Sequence, residues 1–174
     1  PTHSTVRAGD REIGIGFTLS DPNVALIQDL LTEQECEKLI ALSAGKVTRS
    51  SVVDRATGSD QISAVRTSAG THFERGENAI VARIEQRIAA LTGLPIENGE
   101  PLQILYYKPG NEYLAHHDYF DPNDPGSAEV MRAGGQRIAT FVIYLNNVTE
   151  GGETGFPELS LDVKPRRGSA LYFE

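Results

Sequence analysis

Apolar residues recur at helical spacing in one segment of the N-terminal half. The residues that share this three- or four-residue spacing are Ile80, Val81, Ile84, Ile88 and Leu91. Such a period places apolar side chains on one face of an α-helix. Gly93 and Pro95 follow directly, and both residue types are typical of a helix end. The pattern therefore predicts a helix over residues 77–91.

A second helix is predicted from its start signal. Thr32 and Glu35 form a capping box, in which the Thr32 hydroxyl accepts a hydrogen bond from the Glu35 N–H and the Glu35 carboxylate reaches back. The apolar side of this segment consists of Leu39, Ile40 and Leu42. Gly45 is a natural C-terminal stop.

The pattern changes after residue 100, where short β-rich runs alternate with turn residues. The predicted strands are 102–107, 113–119, 137–145, 161–164 and 169–173. Polar residues with prolines and glycines predict a long loop over 121–135, and loops of that length are often functional. We therefore expect an α+β fold in which helices pack on one face of a sandwich, barrel or jelly roll.

Length and composition fit a single globular domain. The chain has 174 residues, of which 39% are hydrophobic. We expect one domain over 1–174, with a helix-rich part at about 22–97 and a β core at about 101–174.

Charge and cysteine content narrow the classes of partner. The 16 Lys and Arg residues against 24 Asp and Glu residues give a net charge of −8. An acidic surface disfavours nucleic acid and anionic membranes as partners and mildly favours neutral or basic substrates. Cys36 is the only cysteine, which excludes an internal disulfide and fits a reducing, cytoplasmic compartment. No apolar run approaches the length of a membrane span.

The residues best suited to chemistry are His116-His117-Asp118. On a strand, residues i and i+2 point to the same face, so His116 and Asp118 would converge while His117 points away. An imidazole and a carboxylate make two corners of the facial triad of non-haem Fe(II) oxygenases, which leaves positions open for a co-substrate and oxygen. The triplet alone also fits an ordinary surface strand.

Several further motifs surround the triplet. They are Tyr106-Tyr107-Lys108-Pro109-Gly110, Gly134-Gly135-Gln136-Arg137, Glu150-Gly151-Gly152-Glu153-Thr154 and Lys164-Pro165-Arg166-Arg167-Gly168, with Glu35-Cys36 and residues 65–68 upstream. This order and spacing resembles the catalytic domain of the prolyl 4-hydroxylase family of Fe(II)/2-oxoglutarate-dependent dioxygenases, bacterial members among them. The resemblance covers residues 30–174.

The resemblance implies a double-stranded β-helix, or jelly roll, in which His116 and Asp118 hold Fe(II). It also implies 2-oxoglutarate and O2 as co-substrates, ascorbate as reductant, and hydroxylation of a prolyl residue in a protein or peptide with succinate and CO2 as co-products. The remaining roles that it implies are the 2-oxoglutarate pocket for Tyr107 and Thr140, the peptide substrate for Tyr113 and Arg137, and a pocket-facing position for Thr154.

Structural roles for these residues stay open at this stage. Tyr107 equally fits a core aromatic and Thr140 a satisfied core hydroxyl. Arg137 fits a salt bridge at the start of a strand. As a whole, the chain also fits a non-catalytic peptide-binding module on a degenerate oxygenase fold. A cupin-like metalloprotein is disfavoured, because its sites carry several histidines close together.

The chain departs from the family pattern in one respect. Relatives carry a second metal-binding histidine and a lysine for 2-oxoglutarate after the strand that matches 169–173, whereas here no histidine follows His117 and no lysine follows Lys164. We expect these residues and the last strands to follow in a longer protein, which would be active where the 174-residue chain is not. A natural pseudo-enzyme and a contribution from another chain are the alternatives.

Overall fold

The computed structural model describes residues 4–49, 52–53, 60–61 and 67–174. Residues 65 and 66, which belong to one of the family-like motifs, lie outside this part. The strands are β1 (Ser4–Ala8), β2 (Arg11–Ser20), β3 (Asn23–Gln28), β4 (Thr48–Arg49), β5 (Val52–Val53), β6 (Asp60–Gln61), β7 (Ala69–Phe73), β8 (Leu102–Tyr106), β9 (Thr140–Ile143), β10 (Thr154–Phe156), β11 (Leu161–Val163) and β12 (Ala170–Phe173). The α-helices are α1 (Glu33–Ser43), α2 (Ala79–Thr92) and α3 (Ser127–Gly134), with short 3-10 helices at Ile96–Asn98 and Pro157–Leu159.

The elements group into two compact units. The first contains Pro1–Leu42, Phe73–Leu102 and Ala139–Glu174, and the second contains Ser43–His72 and Gln103–Ile138. Helices and antiparallel strands occur together, as the α+β prediction requires. None of the helices in the described ranges is both long and apolar enough for a membrane span.

The first unit is built on a five-stranded sheet of order β1-β2-β3-β12-β9. Strand β12 pairs antiparallel with β3 on one side and with β9 on the other, so the run at 169–173 is an interior strand rather than an edge. Its residues Ala170 and Leu171 are fully buried. Leu171 packs with Val24, Tyr144 and Val163 in the core of this unit.

Strands β1 to β3 precede the first helix and were missed by the sequence analysis. Strand β1 is exposed except for Ala8, so it carries no apolar alternation. Strand β2 contains Gly14 and Gly16, and its register shifts between Ile15 and Phe17. Glycine weakens a strand signal and often marks such a bulge. Strands β1 and β2 pair with each other, β2 pairs with β3, and β3 alone pairs with β12 from the far end of the chain.

Both predicted helices form. The Thr32 N–H donates to Glu35 Oε2 at 2.8 Å and the Glu35 N–H donates to Thr32 Oγ1 at 3.1 Å, which confirms the capping box. Helix α2 begins slightly later than predicted, because the Asn78 side chain caps it by accepting from the N–H groups of Ile80 and Val81. It ends at Gly93, whose φ of 71° is left-handed.

Arg87 lies on the apolar face of α2, at helical spacing from Ile80 and Ile84, and is only 2% exposed. Its guanidinium donates to both Asp10 carboxylate oxygens at 2.8 and 3.1 Å. It donates to both Glu35 carboxylate oxygens at 2.8 and 2.9 Å and to the Leu30 carbonyl at 2.8 Å. A buried arginine is tolerated here because its donors are saturated by these acceptors.

A tight turn before β12 depends on Gly168. Its φ is +80°, and a Cβ added there would overlap the carbonyl oxygen of Leu31. The Leu31 N–H donates to the Gly168 carbonyl at 3.0 Å, so the two backbones cannot separate without losing that bond. The turn therefore requires glycine for its conformation and for its close backbone approach.

Replacing Gly168 by alanine should destabilise the protein by about 3 kcal/mol, combining left-handed strain with overpacking. Gly45→Ala is the matched control, because Gly45 has φ +82° and open space around its Cβ position. It should cost only about 1–2 kcal/mol. Urea denaturation measures both changes, and equal losses would refute the close-approach argument.

The second unit contains the small sheet β4-β7-β8, apart from its end residues Phe73 and Leu102, and the antiparallel pair β5-β6. It also corrects the predicted loop at 121–135, because α3 lies within it. Pro122 and Pro125 precede α3, and a glycine with φ 80° follows it, so these residues flank a helix rather than exclude one. An Arg132–Glu129 ion pair at 2.6 Å supports its exposed face.

Candidate metal site

The segment that carries His116 and Asp118 is irregular, which corrects the predicted strand at 113–119. Only an isolated bridge at Tyr113 is strand-like, and bends follow it. Just before this segment, the Glu112 N–H donates to Thr67 Oγ1 at 2.8 Å and the Glu112 carbonyl accepts from the Thr67 N–H at 3.0 Å. The alternation argument therefore does not apply here.

His116 and Asp118 nevertheless converge. His116 Nε2 lies 3.1 Å from Asp118 Oδ1. His116 Nδ1 lies 2.7 Å from the carbonyl oxygen of Leu114. The side chains are 33% and 30% exposed, so the pair is accessible from solvent without lying free on the surface.

The geometry fits two neighbouring corners of a metal site. A carbonyl can only accept, so the Nδ1 of His116 carries a proton, and Nε2 faces the Asp118 carboxylate. Two acceptors at this distance call for a shared cation, either a proton or a metal ion. Donors in adjacent corners of an octahedral site with bonds of about 2.1 Å lie roughly 3 Å apart. An Nδ1–H bonded to a backbone carbonyl is also the usual outer support of a metal-binding histidine.

The assignment of His116 and Asp118 as metal ligands stays a prediction, and the described part of the chain brings these two candidate ligands together. No group of three or more His, Cys, Asp or Glu residues suited to a metal occurs within residues 4–49, 52–53, 60–61 and 67–174. Cys36, in particular, is buried in α1 as a small core residue.

Tyr113 lies directly against His116. Its ring stacks on the His116 imidazole with a centroid separation of 3.7 Å and an interplanar angle of 23°. The neighbouring His117 instead contacts the Tyr119 ring at 5.1 Å. Adjacent histidines thus have different surroundings, and the ring that restrains His116 is the residue predicted to contact substrate. Its substrate role stays a prediction.

Arg137 lies before β9 rather than at the start of a strand. Its Nη1 donates to the Asp118 carbonyl at 3.4 Å, and its guanidinium lies 4.6 Å from the centre of the Phe120 ring. These contacts hold the segment around Asp118. They do not test contact with a substrate carbonyl, which also stays a prediction.

The predicted 2-oxoglutarate residues fall in different units. Tyr107 follows β8 in the second unit and is 41% exposed, which excludes the core-aromatic alternative. Thr140 is half-buried on β9 in the first unit, opposite Phe173. Both cofactor assignments stay predictions. Thr154, also in the first unit, accepts a hydrogen bond from the Tyr144 hydroxyl at 2.8 Å.

Tyr144 was not singled out from the sequence as a polar group. Burial raises the pKa of its phenol, although the hydrogen bond to Thr154 acts in the opposite direction. Tyr144 lies in an apolar run, so the sequence pattern predicted only a core strand position and gave no sign of its hydrogen-bonded hydroxyl.

The sequence and the fold are similar to those of known proteins. Residues 102–174, which include His116 and Asp118, match the family described as the 2OG-Fe(II) oxygenase superfamily. The chain is 40% identical over 175 residues to Prolyl 4-hydroxylase 2 of Arabidopsis thaliana, covering 88% of this chain and 57% of that protein. It is 42% identical over 191 residues to Prolyl 4-hydroxylase 5 of the same plant, covering 99% and 64%.

A solved structure with the same fold is that of the viral collagen prolyl hydroxylase vCPH from Paramecium Bursaria Chlorella virus-1 in its 2OG complex. The TM-score is 0.63 at 28% sequence identity, with 86% of this chain and 76% of that chain covered. The match confirms the jelly-roll class expected from the sequence. The chain spans 57% and 64% of the lengths of the two plant relatives.

Proposed function

Because residues 102–174 match the 2OG-Fe(II) oxygenase superfamily, we propose that the protein hydroxylates prolyl residues of a protein or peptide. The reaction would use Fe(II), 2-oxoglutarate and O2, the group of reactants that the superfamily implies, with succinate and CO2 as co-products. Ascorbate, typical of prolyl hydroxylases, would serve as reductant. The observation that carries the proposal is the 3.1 Å approach of His116 Nε2 and Asp118 Oδ1.

Within this mechanism, His116 and Asp118 would hold the metal. Iron with 2-oxoglutarate supplies the oxidising chemistry, and the protein supplies geometry. The Leu114 carbonyl keeps the proton on His116 Nδ1, which leaves Nε2 available as a ligand. Stacking on Tyr113 limits rotation of the imidazole. Tyr107 and Thr140 would contribute to 2-oxoglutarate binding.

A prolyl peptide suits the surface of the second unit. Exposed tyrosines there include Tyr106 at 52% and Tyr119 at 49%. Aromatic side chains are the usual partners of proline-rich segments, which adopt an extended polyproline conformation. Arg137 and Tyr113 would contact this peptide, as the resemblance implies. The net charge of −8 favours neutral or basic peptides over nucleic acid.

A cytoplasmic location belongs to the same proposal. Its support is that Cys36 is the single cysteine of the sequence, so an internal disulfide cannot form and the chain fits a reducing compartment.

The direct test is turnover by the full-length protein with Fe(II), ascorbate, 2-oxoglutarate and a proline-containing peptide. We expect succinate and hydroxyproline in equal amounts, measured by chromatography and by peptide mass. The matched control is the same peptide with every proline replaced by alanine, and a lysine-containing peptide tests the target residue. Peptide binding that is indifferent to iron and 2-oxoglutarate, without succinate, would instead identify a non-catalytic binding module.

A further inference from the structure

The Gln136 side chain binds both backbone polar groups of Phe120. Gln136 Oε1 accepts from the Phe120 N–H at 2.8 Å, and Gln136 Nε2 donates to the Phe120 carbonyl at 2.8 Å. The same Oε1 accepts from the Arg137 N–H at 3.0 Å, which fixes the plane of the amide. Only one orientation of the amide satisfies these three bonds, because an N–H must meet oxygen and a carbonyl must meet nitrogen.

These bonds replace those that a neighbouring strand would provide. The segment after His116 is irregular, so its backbone groups are not paired in a sheet ladder. A primary amide offers a donor and an acceptor at the spacing of one peptide unit, so it can satisfy both backbone groups at once. The Gln136 side chain thus makes the two hydrogen bonds with Phe120 that the backbone of a paired strand residue would make.

The bonds also close a loop. Residues 121–135, which include α3, form a loop that begins after Phe120 and ends before Gln136. Joining the two ends of this loop at its base restricts the positions that the preceding residues can adopt. Asp118 lies only two residues before the joined position.

Arg137 holds the same segment from the adjacent position. It donates to the Asp118 carbonyl at 3.4 Å and covers the Phe120 ring at 4.6 Å. The stretch from Asp118 to Phe120 is therefore held at both ends by two consecutive residues. The carboxylate of Asp118 faces His116 from within this stretch.

We propose that Gln136 is a positioning residue for the metal ligand Asp118, acting through the backbone of Phe120. This inference rests on the proposed metal-binding function of His116 and Asp118. Gln136 does not touch the metal position itself. Its removal releases both backbone groups of Phe120 to water and lets the Asp118 carboxylate turn away from His116.

The test is Mn(II) affinity, measured by EPR on the full-length protein without co-substrate. Gln136→Leu removes both bonds at similar size and should weaken Mn(II) binding by about 10-fold, the lower end of the range for outer-shell support. Gln136→Glu keeps an acceptor for the Phe120 N–H but sets a second acceptor against the Phe120 carbonyl, so it should weaken binding similarly. Gln86→Leu, an exposed position on α2, is the control and should leave affinity unchanged.

Hydrogen exchange at the Phe120 amide gives a readout that is independent of metal. Gln136→Leu should accelerate this exchange without lowering the melting temperature of the protein. Unchanged Mn(II) affinity in both Gln136 variants would overturn the proposal, and so would loss of the whole fold in both. If wild type and Asp118→Ala bind Mn(II) equally, the metal function itself fails, which is a separate outcome.

Discussion

Replacing either His116 or Asp118 by alanine should lower Fe(II) affinity by at least about 100-fold, beyond the 10- to 100-fold losses typical of outer-shell changes. Each substitution removes one of the two donors that face each other at 3.1 Å. The remaining donor then binds alone, and the chelate is lost. Turnover of 2-oxoglutarate should disappear with the metal.

The adjacent histidine provides the matched control. His117 contacts the Tyr119 ring and not the His116–Asp118 pair, so His117→Ala should change Fe(II) affinity by less than about 3-fold, within the scatter expected for a group outside the metal surroundings. Anaerobic titration with Fe(II) measures all three variants. Equal losses for His116→Ala and His117→Ala would reject the choice of ligand.

Replacing Arg87 by leucine should lower the free energy of unfolding by about 3–5 kcal/mol, because breaking a buried ion pair leaves an uncompensated charge. The uncompensated charge is the carboxylate of Glu35, which is 7% exposed and accepts two hydrogen bonds from Arg87. For a chain of this size the melting temperature should fall by roughly 10 °C.

Arg83 separates this burial effect from simple loss of charge. It also donates to Glu35, at 3.1 Å, but its side chain is 44% exposed. Arg83→Leu should cost less than about 1 kcal/mol, as surface ion pairs do. Urea denaturation compares the two, and a similar cost for both would refute the account of the buried network.

The same network sets the acid stability of the protein. Burial opposes ionisation of Glu35, but hydrogen bonds from Arg87, the Thr32 backbone and Arg83 outweigh it and lower the pKa of Glu35 to about 2. A lowered pKa in the folded state stabilises the protein above the ordinary pKa of glutamate. That contribution is lost as pH falls from about 4.5 toward 2. In Arg87→Leu this loss over the acidic window should largely vanish.

Local chemistry made part of this structure predictable. The capping box at Thr32 and the apolar stripe of α2 are decided by residues close in sequence, and both formed as expected. Strand β3 pairs instead with β12 from the other end of the chain, and β1 and β2 extend the same sheet beyond β3. Helix α3 has no side-chain cap, which is the signal that would have revealed it.

In the candidate site, too, some features follow from residues close in sequence and others depend on distant residues. The convergence of His116 and Asp118 was predicted, yet the reason given for it was wrong, because the segment is not a strand. The pair is held by Leu114 and Tyr113 nearby and by Gln136 and Arg137 beyond α3. A glutamine that pairs with backbone across a long loop has no periodic signature in sequence.

The most direct test of the metal assignment is a crystal structure of the full-length protein grown with Mn(II), with anomalous scattering used to locate the ion. The account predicts an anomalous peak about 2.1–2.2 Å from both His116 Nε2 and Asp118 Oδ1, as expected for nitrogen and oxygen ligands of a divalent metal. An active protein whose only anomalous peak lies away from this pair would contradict it.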